Sequence, residues 1–552
     1  MDNAAETRRS GPWWPWALVG LAAALLYFAR LGAHDLWEPD EPNFALTSRE
    51  MMERSQYVLP TLNGTPEGEK PPMFYWAIIA ATRLVGGEVS ELTTRIPSAA
   101  GMLVTVLAIG LAGASVFGLR AGLLAAIVMA TTHLGVWEAR TGQVDALNCA
   151  FITLAFTWFL RASMAEPPLP ASLAAAYGFA GIAVLTKGQP GFLLPVATLF
   201  LHGWIMRRAR PIARMGLHVG VPVVAAFGLV WFLPLLKIAS ADFLSTILYR
   251  QTVVRYFNPW HHHQPFWYYL TTLPLEFLPW TILLPGALVF AWREGWKKRD
   301  PAIVYAMLWA AVVFLYFSVS PGKRSIYVLP MFPALALLVG RFLDSALTPG
   351  SPWAIWVRGP VWAWAGVLAL VGLGAPVVIQ QKYPPMAWPA AGLTPLLLLG
   401  VIVIVNRLRE STLLAATGAL AAVTFAFNFY LHTVMLPAFN PYNSAREFCS
   451  RIVSLLEPGE RPVSYRFFRG TYGFYTRRQF AVPETPDALA ELLQADPDLV
   501  VMAHKEHLSE LAQDGRFGLE LVDDRKIGTR HVALVRVRPG KRAPAGERGV
   551  TR

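Results

Sequence analysis

Charge is scarce in this chain: Asp, Glu, Lys and Arg make up 15% of its 552 residues, where soluble domains carry about 25%. That excludes an ordinary water-soluble globule, and the 54% hydrophobic content and mean hydropathy of +0.40 point to a bilayer. Cysteine is nearly absent. Cys149 lies inside an apolar run and Cys449 far downstream, which excludes a disulfide framework and a thiolate metal site. Also lacking is an internal repeat of the kind that marks many transporters. Acids are outnumbered, 36 Asp and Glu against 48 Lys and Arg, for a net charge of +12. Nucleic acid is one partner for such an excess. Here, however, the basic residues collect in short segments between apolar runs, as in membrane proteins whose cytoplasmic loops keep positive charge. The polar segment Met1 to Gly11 leads into an apolar run with no small-residue cleavage site, so a retained first helix is expected.

A membrane-crossing helix needs about 20 apolar residues to span about 30 Å. On that criterion about thirteen candidates stand out, near 13–31, 96–118, 121–137, 146–162, 171–186, 189–206, 215–238, 267–292, 302–319, 325–343, 360–379, 389–406 and 412–431. With Arg8 and Arg9 inside, alternation puts every compact basic cluster on the same side: Arg207, Arg208, Arg210 and Arg214, then Arg293 and Lys297–Arg299, then Arg407 and Arg409. The loop 32–95 and the part after 431 then fall outside. Between 432 and 540 charge returns, with a helical pattern from Pro486 to Gln494 and strand-like runs Leu499–Ala503 and His531–Val537. The expected organisation is an all-α polytopic membrane domain over 1–431, a small α/β soluble domain over 432–540 and a disordered tail over 541–552. The expected setting is a bacterial cytoplasmic membrane, with the N-terminus cytoplasmic and the soluble domain periplasmic.

Proline-flanked polar residues gather on the outer side. The first outer loop holds Trp37-Glu38-Pro39-Asp40-Glu41-Pro42 and then Glu69-Lys70-Pro71-Pro72. Proline fixes its own φ and restricts the residue before it, so such loops can hold carboxylates in place. A carboxylate there can act as a general base on a hydroxyl, and Lys70 can bind phosphate. The plainer reading is that the prolines end helices and the acids are solvated. The same topology brings Arg140, Asp145, Lys187, Arg255, His261–His263, Lys323, Arg324 and Tyr327 to that side. Ionisable residues near membrane segments are costly and tend to have pairing or functional roles. Asp145 fits an ion pair with Arg140 as well as a substrate role, and Lys187 fits snorkelling to the interface. Three consecutive histidines are poorly spaced for one zinc ion. Trp260, Trp267, Tyr268 and Tyr269 suit an interfacial aromatic belt.

These residues resemble a family: the polyprenyl-phosphate-dependent membrane glycosyltransferases of GT-C fold, in particular bacterial relatives of aminoarabinose transferase and protein O-mannosyltransferase. The likeness rests on Asp40-Glu41, Glu69-Lys70-Pro71-Pro72, Arg140 with Asp145, Leu185-Thr186-Lys187-Gly188, His263-Gln264-Pro265-Phe266-Trp267-Tyr268-Tyr269 and Lys323-Arg324-Ser325-Ile326-Tyr327. It implies an inverting transfer from a polyisoprenyl-phosphate-linked sugar to a lipid, glycan or protein acceptor in the bilayer, with no nucleic acid involved. Asp40, Glu41 and Asp145 would be the catalytic acids, and Lys70, Arg255, Lys323 and Arg324 would meet the donor phosphate. Arg140, Lys187, His262, His263 and Tyr327 would line the substrate. No cofactor is firmly implied; a divalent cation is compatible. Aminoarabinose transferases carry Asp-Glu-Pro-Arg-Tyr in the first loop, where this chain has Asp40-Glu41-Pro42-Asn43-Phe44, so the likeness reaches the chemistry better than the sugar. The competing readings are a flippase for a lipid-linked sugar and an assembly protein whose outer charges pair with one another.

Overall fold

A computed structural model of the chain describes residues 12–165, 169–208, 212, 215–259 and 261–540. Arg8, Arg9, Arg210, Arg214, Trp260 and the tail 541–552 lie outside the described residues. Nine helices build the first part: α1 (Trp14–Phe28), α2 (Glu41–Glu53), α3 (Met73–Val85), α4 (Glu91–Phe117), α5 (Leu119–Thr131), α6 (His133–Ala139), α7 (Val144–Met164), α8 (Pro170–Lys187) and α9 (Pro190–Ile205). Among the described residues eight helices are long and apolar enough to cross a membrane, or up to ten if each of two bent pairs is one span. Three shorter apolar helices accompany them. The loop 32–95 is largely structured, since it contains α2, α3 and the hairpin of β1 (Thr61–Leu62) and β2 (Thr65–Pro66).

Small residues set the packing that carries the site. A Cβ on Gly122 of α5 would stand 2.4 Å from the Gly110 carbonyl oxygen of α4, so only glycine lets these two helices cross at backbone contact. At the end of α8, Gly188 has φ +92°. That left-handed conformation stops the helix directly after Lys187 and starts the turn into α9.

Helical backbone runs on from Leu413 through Asn443, past the boundary at 431 expected from composition. Beyond it lies a four-stranded sheet, order β3-β4-β6-β5, made of β3 (Val463–Ser464), β4 (Leu499–His504), β5 (Phe517–Ile527) and β6 (Arg530–Pro539). Only β3 and β4 are parallel within it. Four helices flank the sheet, and alternating inward residues such as Leu499, Val501 and Ala503 build a core separate from that of the membrane helices. The sheet-bearing part docks on α2: the Gly470 N–H donates to Asn43 Oδ1 at 2.9 Å, and a Cβ on Gly470 would meet that oxygen at 2.5 Å.

Candidate functional site

Several chain segments end at one place. The N-termini of α2 and α7, the C-terminus of α8 and the segments 67–70, 251–259, 261–262 and 320–327 all open onto a cavity of about 880 Å³. The N-termini bring Asp40 and Asp145 to its wall, and the α8 terminus brings Lys187. Carboxylates suit helix N-termini and a lysine suits a C-terminus, because the backbone dipoles there favour those charges.

The charges fall into three groups. Asp40 Oδ2 receives Arg324 Nη2 at 2.7 Å and Gln143 Nε2 at 3.3 Å. Lys187 pairs with Asp145 and holds its Nζ 4.6 Å from the centre of the Tyr327 ring. Glu69 stands between two cations, its Oε2 at 3.8 Å from both Lys70 Nζ and Arg255 Nη1. Those last separations are too long for strong hydrogen bonds, so Lys70 and Arg255 keep donors free for an anion. Gln251 orients Arg255 by accepting from Nη1 at 2.7 Å.

Burial works to raise the Asp40 carboxyl, but the charge and hydrogen bond of Arg324, helped by Gln143 and Lys70, hold it below the usual carboxylate range. Asp40 is therefore ionised at neutral pH. Burial, with Arg255 beside it, pushes the Lys70 ammonium down to about 8, and burial with Glu69 moves Glu67 upward. A phosphate bound by Lys70 needs the ammonium form, which is lost as pH rises through about 8. Affinity for a phosphate anion is thus expected to fall between pH 7 and pH 9, and Lys70→Arg is expected to flatten that profile because arginine keeps its charge. Titration of inorganic phosphate binding against pH with both proteins checks it; a flat wild-type profile would contradict it.

Of the residues singled out from sequence, Asp40, Lys70, Asp145, Lys187, Arg255, His262, Arg324 and Tyr327 line the cavity. Glu41, Arg140, Lys323 and His263 do not. Glu41 points into the protein, receiving Arg95 Nε at 2.6 Å and Nη2 at 2.9 Å with 2% exposure. Arg140 donates to the carbonyls of Leu26, Tyr27 and Ala29. It thereby caps the last turn of α1, whose carbonyls lack helical partners; Asp145 has Lys187 instead. Lys323 is buried and gives its Nζ to the carbonyls of Gln264 and Ser320 at 3.0 and 2.5 Å. His263 is exposed and its backbone bridges to Gly322. The histidine run therefore splits, with His261 and His262 on the cavity wall. Among the described residues no three His, Cys, Asp or Glu side chains gather closely enough to hold a metal ion.

Sequence reasoning missed Glu67, Gln143, Asn148 and Gln251, and two arginines of the sheet-bearing part, Arg469 and Arg530, which also line the cavity. Gln143 had a signal in its place two residues before Asp145. Asn148 lies one turn beyond Asp145 on α7, the spacing that keeps helical residues on one face, and its buried Oδ1 has no hydrogen-bond partner among the described residues.

Comparison with known proteins follows the same lines. Residues 69–236 match the family described as dolichyl-phosphate-mannose-protein mannosyltransferase. The chain is 28% identical over 468 residues to an uncharacterized protein of Aquifex aeolicus, covering 84% of this chain and 86% of that one. It is 30% identical over 401 residues to the undecaprenyl phosphate-alpha-4-amino-4-deoxy-L-arabinose arabinosyl transferase of Pseudomonas aeruginosa, covering 68% of this chain and 70% of the relative. Its fold is similar to the crystal structure of ArnT from Cupriavidus metallidurans bound to undecaprenyl phosphate. The TM-score is 0.78 at 22% identity, over 94% of this chain and 98% of that one.

Proposed function

This chain belongs to the family of GT-C glycosyltransferases related to aminoarabinose transferase and protein O-mannosyltransferase, and from that premise we propose that it moves a sugar from undecaprenyl phosphate to an exported acceptor at the cavity built around Asp40. Lys70 and Arg255 hold the donor's phosphate. Asp40 accepts the proton of the acceptor hydroxyl as its oxygen attacks the anomeric carbon. The bond from that carbon to the phosphate oxygen breaks, and the negative charge left on the lipid phosphate rests against the two cations. Attack from the face opposite the phosphate inverts the sugar. Arg324 and Gln143 fix the Asp40 carboxylate, while Asp145 and Lys187 shape the wall between base and phosphate. The acceptor class is lipid A, another envelope glycan or a protein hydroxyl.

One observation carries this reading: a carboxylate kept ionised faces, across one cavity, two cations that share a single acid at 3.8 Å. Sidedness supports a periplasmic site. The helix Pro301–Val319 has 19 residues, a length of about 28 Å at 1.5 Å per residue. It separates the basic turn Arg293–Arg299 from the cavity residues Ser320 and Arg324. Likewise α9 separates the cavity residue Pro190 from Arg207 and Arg208. Cytoplasmic basic loops then leave the cavity facing out.

Binding of undecaprenyl phosphate to the purified chain tests the donor end. Lys70→Met and Arg255→Met are each expected to weaken it about tenfold, the loss of one charge-assisted contact. Unchanged affinity in both variants would move the phosphate elsewhere.

A further inference from the structure

Beyond Lys70 and Arg255 the cavity has a further cationic group. Arg469 and Arg530 reach its wall from the sheet-bearing part, one just before the helix Gly470–Thr476 and the other opening β6. The acid whose field both arginines share is Glu38, with Arg469 Nε at 3.7 Å from its Oε2. Lys70, by contrast, is coupled to Arg255, Glu69, Lys187 and Asp145. The two cationic groups thus face different acids, Glu38 for Arg469 and Glu69 for Lys70 and Arg255, and a donor with one phosphate needs only one of them.

The commitment of the arginines differs from that of their neighbours. On the same part Arg466, Arg477, Arg516, Arg525, Arg536 and Arg538 are each held by at least one carboxylate; among the described residues Arg451 and Arg478 are not, but they stand off the cavity wall. Arg530 is exposed and makes no side-chain hydrogen bond or close ion pair among the described residues. Among the described residues Arg469 has only the long contact to Glu38. Beside them Phe467 stacks on the His504 ring at 4.1 Å between centroids, and the His504 ring meets the backbone of His531, next to Arg530. Uncommitted guanidinium groups on a cavity wall suit an oxyanion.

Resting on the transferase reading, we propose that Arg469 and Arg530 form an acceptor subsite that binds a phosphate or carboxylate carried by the acceptor glycan, near the hydroxyl that Asp40 deprotonates. The oxyanion replaces Glu38 as the partner of Arg469. Glu38 lies two residues before Asp40, and Gly470 is hydrogen-bonded to Asn43, so the sheet-bearing part presents the acceptor directly to the segment that holds the base.

The test measures binding of three probes to the full chain in detergent, without donor: a glycolipid bearing a sugar phosphate, its counterpart bearing a uronic-acid carboxylate, and the neutral glycolipid. At least one anionic probe is expected to bind about tenfold more tightly than the neutral one. The double variant Arg469→Gln, Arg530→Gln is expected to lose that preference, and Arg469→Lys, Arg530→Lys to keep part of it. The stronger anionic probe names the oxyanion. Affinity for undecaprenyl phosphate, measured on the same preparations, is expected to be unchanged; its absence in the wild type would count against the transferase reading and not against the subsite. Equal binding of all three probes, or a preference that survives the double glutamine variant, would overturn the proposal.

Discussion

Asp40→Asn is expected to lower sugar transfer by about 10²- to 10⁴-fold, the usual worth of a general base, while leaving undecaprenyl phosphate binding intact. Asparagine keeps the size of the side chain, and its amide oxygen can still accept from Arg324 and Gln143, which now hold the carboxylate at 2.7 and 3.3 Å. What it loses is the capacity to take a proton. The loss therefore falls on kcat and on kcat/KM alike, the pattern of an interaction made only in the transition state. Steady-state kinetics with separate donor-binding measurements checks it. A variant with near-normal kcat would remove Asp40 from the chemistry and leave its pairing with Arg324 as a structural contact.

The next residue along the chain is expected to behave in the opposite way. Glu41→Ala is expected to cost about 3–5 kcal/mol of stability, because it leaves the buried Arg95 charge without its partner. Arg95 is fully buried, and its guanidinium also donates to the carbonyls of Leu31, His34 and Asp35. Glu41 also accepts from the Gly142 and Trp37 backbone N–H groups at 2.7 and 3.2 Å. This pair thus ties the segment before α2 to α4 and to the turn before α7. Burial raises the Glu41 carboxyl, but Arg95 outweighs it and holds the group below its ordinary value. A carboxyl lowered in this way stabilises the fold at neutral pH, and that contribution is lost as pH falls through the acid range. Thermal unfolding in detergent across pH reads both effects. A Glu41→Ala protein that melts like the wild type but has lost turnover would return Glu41 to the catalytic group.

Asp40 and Glu41 also show where sequence reading reaches its limit. Composition, apolar run lengths and basic clusters made the membrane class legible, and proline-flanked acids marked the loop 32–95 as chemically unusual. Neighbouring residues at a helix start, however, point about 100° apart, so one acid faces the cavity and the next faces the interior. Lys323 and Arg324 divide in the same way, the first spent on carbonyls and the second on Asp40. Arg140 looked like a partner for Asp145 by proximity in sequence, yet the carbonyls it caps belong to a helix more than a hundred residues earlier. Arg469 and Arg530 carried no signal, because their place in the cavity comes from how the sheet-bearing part docks on α2, a tertiary event with no local periodicity.

The measurement that bears most directly on the whole account is a product balance with the purified wild-type chain. It uses a panel of undecaprenyl-phosphate sugars, with the 4-amino-4-deoxy-arabinose donor among them, and a cell-envelope acceptor fraction. Release of undecaprenyl phosphate matched mole for mole by sugar joined to the acceptor is the expected result. Donor that is bound, or carried across a sealed vesicle, but stays chemically whole with every sugar and acceptor supplied would contradict it.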